Sequence, residues 1–124
     1  MNVADVIANL KSAQHGSRRL DGQIAQLLGW QLQIVDDPSR PKGKRYLWTV
    51  PNEQNDAVVP SYTTNLTAAY ELAQKVVPSN VGGFAWKDGA FQAQIGLNTP
   101  VATAATPAIA ICIAALQHLA VEAD

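Results

Sequence analysis

Apolar residues recur at helical spacing near the start of the chain. Val3, Val6, Ile7 and Leu10 fall at i, i+3, i+4 and i+7, one stripe of a first helix. Leu20, Ile24, Leu27 and Leu28 form the stripe of a second. Between them Gly16 suits the C′ position of the first helix and Ser17 the N-cap of the second, which makes the pair an αα-hairpin. Gly29 should close the second helix with a left-handed cap. Trp30 at C″ would then pack back on the last turn around Ala25.

The period then drops to two. In QLQIV (31–35) Leu32 and Ile34 alternate with glutamines, as in a half-buried strand. DDPSRPKGKR (36–45) is a turn-rich connection, and YLWTV (46–50) is a second strand with Tyr46, Trp48 and Val50 on one face. PNEQNDAVVPS (51–61) reads as a polar loop. Asn65 then caps a helix whose stripe is Leu66, Ala69, Tyr70, Ala73, Val76 and Val77, with Pro78 ending it.

FAWKDGAFQAQIGL (84–97) is the strongest local signal, because Asp-Gly between alternating runs is the preferred two-residue type I′ hairpin loop. With Asp88 and Gly89 as that loop, Trp86 faces Phe91 and Phe84 faces Ala93. One side then carries Phe84, Trp86, Phe91, Ala93, Ile95 and Leu97; the other carries Ala85, Lys87, Gln92, Gln94 and Gly96. Thr106-Pro107 opens the last helix. Its two stripes (Ile109, Cys112, Ile113, Leu116, Ala120 and Ala108, Ile111, Ala115) lie on roughly opposite sides. Such a helix is either central in the fold or part of a subunit interface.

The elements make one α+β domain over residues 1–124 in the order ααβ(β)αββα, with a small antiparallel sheet of three to four strands layered against helices. Composition adds little until charge is considered. Only 15% of residues are charged, against a norm of about 25%. That thin coat, with the two-sided last helix, predicts a homo-oligomer built through that helix. A net charge of −1 argues against a nucleic-acid partner. The lone Cys112 excludes an intramolecular disulfide. The amino terminus lacks the basic and apolar regions of a secretory signal, and the apolar run 108–116 is far short of the roughly twenty residues of a membrane span. The expected location is the cytoplasm, without a membrane partner.

The combination LDGQIAQLLGW (20–30), PSYTTNLTAAYELAQKVVP (60–78), an aromatic hairpin and ATPAIAICIAAL (105–116) resembles the phage ABA sandwich domain family. Leu20, Asp21, Ile24, Ala25, Leu28, Gly29 and Trp30 match its first block. Tyr62, Thr63, Leu66, Ala68, Ala69, Val77 and Pro78 match the second, with Asn65 where serine is usual. Ala105, Thr106, Pro107 and Ala108 fit the third. The resemblance spans roughly residues 17 to 118. It implies phage origin, an α/β/α sandwich and work in an infected bacterial host. It carries no catalytic residues.

No catalytic constellation assembles from the sequence. Cys112 and His118 lie about 240° apart around one helix axis, so they form no dyad. His15 and His118 sit on different elements without a carboxylate cluster, so neither a metal nor a cofactor is expected. Asp36 and Asp37 before Pro38 read as turn residues. Two features suggest binding. Arg40, Lys42, Lys44 and Arg45 lead into Tyr46 and Trp48, a phosphate grip beside a stacking surface. Tyr62, Thr63, Thr64 and Asn65 place more polar groups at a helix N-terminus than capping requires. The expectation is a non-enzymatic phage protein that sequesters a nucleotide-type immune signal, a counter-defence sponge. Arg45, Trp48, Tyr62, Thr63, Thr64 and Asn65 would be its ligand-binding residues. The alternative is a protein–protein adaptor or inhibitor of a host factor, acting as a homo-oligomer without a small ligand.

Overall fold

The computed structural model describes residues 2–51, 53, 56–77, 81–96 and 99–123. Its elements in chain order are α1 (Val3–Ser12), α2 (Arg18–Leu27), β1 (Gln31–Asp36), β2 (Lys44–Thr49), β3 (Asp56–Ala57), α3 (Leu66–Val76), β4 (Gly82–Lys87), β5 (Ala90–Ile95), β6 (Ala102–Ala104) and α4 (Pro107–Ala123). The fold is α+β, and no helix among the described residues is long and apolar enough to cross a membrane.

The last helix is the one on which α1, α3 and the strands β4, β5 and β6 pack. Thr106 caps α4, its hydroxyl accepting from the Ile109 N–H at 3.2 Å, and Pro107 supplies the first turn without wasting a donor. From Ala108 to Leu116 every residue is buried. α1 and α3 pack along this helix, and β5 and β6 lie across it. Each fully buried Ile or Leu here contributes about 1.5–3 kcal/mol of transfer free energy. Both apolar stripes are therefore covered within one chain. The helix expected to join subunits is instead the centre of the core, because α1, α3 and the sheet approach it from different sides.

Among the described residues six strands divide between two antiparallel sheets, ordered β1-β2-β3 and β4-β5-β6, where the sequence suggests one. The strands β3 and β6 are two and three residues long, too short to print an alternation, and were absent from the sequence reading. The first sheet sits beside α2. Gly22, buried in mid-helix, leaves room for the Trp48 indole: a Cβ there would stand 3.1 Å from the ring. The second sheet buries Ala93 and Ile95 toward α4 and leaves Gln92 and Gln94 exposed on its other face.

Local sequence rules explain most boundaries. Gly29 has φ +94, and the Trp30 N–H reaches the Ala25 carbonyl at 3.0 Å while the Gly29 N–H bonds Gln26, a Schellman stop. Ser17 caps α2 and Asn65 caps α3, each accepting from a backbone N–H three residues on. Gly16 is not the C′ residue of α1. That helix ends at Ala13 in extended geometry, and Gly16 serves a different purpose, described below. The stripe of α3 is also rotated: Ala69, Leu72 and Ala73 are buried, whereas Leu66 and Tyr70 are exposed. The expectations for Pro78 and Leu97 fall outside the described residues.

The hairpin follows its sequence. Trp86 pairs with Phe91, Phe84 with Ala93, and Lys87 with Ala90. Asp88 and Gly89 have φ of +53 and +78, both left-handed as a type I′ turn requires. Among the described residues no atom lies within 4 Å of where a Gly89 side chain would start, so only the backbone resists substitution there. Gly89→Val should therefore cost about 1–2 kcal/mol in urea denaturation, the penalty for an L-residue in this region. An unchanged midpoint would remove the turn assignment.

Candidate functional site

The polar run before α3 is first of all a latch. Thr63 is buried, and its hydroxyl donates to Asp21 Oδ1 at 2.6 Å while its N–H donates to the same oxygen at 2.8 Å. The same hydroxyl accepts from the Ser17 N–H at 2.9 Å. Asp21 is fully buried, and its Oδ2 pairs with Arg18 at 2.9 Å. Arg18 also donates to the Val59 carbonyl at 2.7 Å and approaches Ser61 Oγ at 3.3 Å. A buried carboxylate is tolerable only when bonded in this way. Gly16 completes the junction, its Cα facing the Thr63 carbonyl with no space for a side chain.

This geometry assigns the expected ligand residues unequal roles. The groups of Thr63 are already committed inside the protein. Asn65 Oδ1 is used in capping the Ala68 N–H. Tyr62 is buried, and desolvation pushes its phenol up to about 12, with the Cys112 thiol and Asp21 adding to the effect. Its carbonyl lies 3.3 Å from Cys112 Sγ, and burial raises that thiol well above the usual range. A buried thiol so disfavoured as thiolate is a small core side chain, not a nucleophile. Of the four, Thr64 and Asn65 are exposed.

Arg45 and Trp48 do come together. With Arg40, Tyr46, Leu47 and Asp56 they line an open concavity of about 310 Å³ beside β2. It exists because β3 pairs only with Trp48 and Thr49, leaving the first half of β2 uncovered on that edge. Arg40 is held within 3.6 Å of Asp37. The Ser39 hydroxyl and N–H, then Arg40 and Arg45, hold the exposed Asp37 carboxyl below its ordinary value. Asp37 is thus an Asx-turn residue, as its place before a proline suggested. Tyr62 to Asn65 do not line this concavity.

A larger groove, about 480 Å³, runs between α3 and the β4–β5 hairpin. Leu66, Tyr70 and Val77 wall one side, Val81 to Phe84 the other, and Ile95 and Ile111 form the floor. Its rim is apolar and open: Tyr70 is 56% exposed, Phe84 42% and, beyond it on the same strand, Trp86 71%. The sequence pattern puts Phe84 and Trp86 on the apolar side of the hairpin and Leu66 and Tyr70 in the stripe of α3; in the fold all four are exposed.

Among the described residues, no three His, Cys, Asp or Glu side chains converge as metal ligands. Sequence reasoning missed Arg18 and Asp21 as a structural pair. The signal was present in the acid at position 21, which shares a helix face with Ala25 and Leu28. Compared with protein-family models, with curated proteins and with solved structures, the chain finds no match in any of the three.

Proposed function

We propose that this is a non-enzymatic binding protein that holds a phosphorylated, ring-bearing small molecule in the concavity beside β2. The observation that carries the reading is the convergence of Arg40 and Arg45 with Tyr46 and Trp48 around one open space. Guanidinium groups match phosphate oxygens in paired hydrogen bonds, and an aromatic face accepts a nucleobase by stacking. In the phage setting that the sequence resemblance implies, the ligand would be a nucleotide-type immune signal and the protein a sponge acting in the infected cell. Retention of the ligand without chemistry is then the whole function.

Calorimetry against cyclic nucleotides and ADP-ribose derivatives tests this, followed by recovery of the ligand after heat denaturation. The expected outcome is binding with intact recovery. Arg45→Ala should lose about 1–3 kcal/mol of affinity, the range for a hydrogen bond to a charged group. Thr64→Ala, at the α3 entrance, should bind as wild type; a comparable loss there would move the site to that helix. Altered ligand on recovery would make the protein an enzyme, and no binding across the panel would remove the ligand reading.

A further inference from the structure

The edge of the second sheet raises a separate question. β4 is exposed along Gly82–Lys87 and, among the described residues, is paired on one side only, with β5. In antiparallel pairing, alternate residues direct their N–H and C=O groups to opposite neighbours. The two-residue turn makes Lys87 and Ala90 a bonded pair, and the Gly96 N–H bonds the Val81 carbonyl at 2.7 Å. Odd-numbered residues of β4 therefore bond β5, and Gly82, Phe84 and Trp86 present their backbone groups outward.

Edge strands are ordinarily protected by proline, central charges, bulges or a covering element. Here there is no proline and one charge, Lys87, at the turn end. The side chains on this edge are instead aromatic, with Phe84 and Trp86 centroids 6.3 Å apart. Across the groove, Leu66 and Tyr70 of α3 stand open where the sheet stops short of them.

We infer that β4 pairs antiparallel with β4 of a second copy about a two-fold axis at Ala85, joining two three-stranded sheets into one of six strands and roofing the groove between α3 and β4. The strand is self-complementary in that register. Phe84 faces the partner's Trp86, and Trp86 faces the partner's Phe84, so outward backbone groups meet as bonded pairs and aromatics meet across strands. Lys87 falls opposite the partner's Gly83, so no like charges oppose. Leu66, Tyr70, Val81, Phe84 and Trp86 leave on the order of 500 Å² open per copy. A symmetric pair would thus remove on the order of 1,000 Å², the floor for a specific interface. The pairing uses the opposite sheet from the ligand concavity, so either inference can fail without the other.

Light scattering after size exclusion, at tens of micromolar, should give twice the 13.2 kDa chain mass. Trp86→Lys should weaken the dimer at least ~30-fold, as loss of an interface hot spot does, with unchanged thermal melting of the monomer. Ala85→Cys should crosslink in air, because residues at a two-fold axis in a non-bonded pair stand ~4.5 Å apart at Cα, within disulfide reach. Cys112 is buried and does not compete. A wild-type monomer would overturn the inference. So would a dimer that survives Trp86→Lys, or one that fails to crosslink at position 85.

Discussion

Asp21→Ala is expected to remove a large part of the protein's stability. The substitution leaves the buried Thr63 N–H without its acceptor, its hydroxyl with only the Ser17 carbonyl at 3.1 Å, and Arg18 without its carboxylate. Breaking a buried charged network by deleting one member costs about 3–5 kcal/mol, where whole domains are stable by about 5–15 kcal/mol. Two further variants separate the causes. Asp21→Asn keeps an acceptor oxygen for Thr63 and loses only the charge, so its cost should be about 1–3 kcal/mol. Arg18→Ala should cost about 1–3 kcal/mol: the guanidinium is 57% exposed, but its loss leaves Oδ2 of the fully buried Asp21 without a partner. Urea denaturation ranks the three. If Asp21→Ala unfolds at the wild-type midpoint, the junction does not hold the fold together.

Gly16→Ala is expected to be nearly as damaging, from the addition of one methyl group. That methyl would land inside van der Waals contact with the Thr63 carbonyl oxygen and 2.7 Å from its Oγ1. Overpacking typically costs about 1–3 kcal/mol, and the upper end or beyond applies here because the obstacle is backbone. Thr63 cannot retreat without giving up its bonds to Asp21 and Ser17. Gly83→Ala is the control: among the described residues nothing lies within 4 Å of that Cβ position, so a change within about 0.5 kcal/mol is expected. Combining Gly16→Ala with Thr63→Ala should give less than the sum of the two costs, since both act on one contact. Strict additivity would place the strain elsewhere.

Local chemistry was legible wherever a short stretch determines its own shape. The Ser17 and Asn65 caps, the Gly29–Trp30 stop and the Asp88–Gly89 hairpin all depend on residues within a turn or two of one another, and all match the sequence reading. What the sequence could not give was pairing across distance. Thr63 looked like surplus polarity at a helix entrance because Asp21, which uses it, lies 42 residues away. The two belong to separate blocks of the family resemblance, and their contact joins those blocks in space. Likewise α4 showed two apolar stripes, but periodicity cannot say whether a second copy or the same chain covers them. For the candidate site, adjacency in sequence brought Arg45 and Trp48 to one concavity through a shared strand. The helix-entrance residues were grouped with them by chemistry alone, and they stand apart in the fold.

The position of α4 also sets a timetable for synthesis. α1, α3 and β5 each bury their apolar sides against a helix that comes after all of them in the chain. A ribosome making this protein must therefore extrude every other described element before α1, α3 and the second sheet can close the core. Hairpins and single helices can form on the way, but the cooperative step waits for residues 107–116 to emerge. Throughout that interval Val6, Leu10, Leu72 and Ile95 stay wet, and the nascent chain is exposed to the aggregation that delayed burial invites. Slow translation gives such a chain no head start. Rapid emergence of its last helix does.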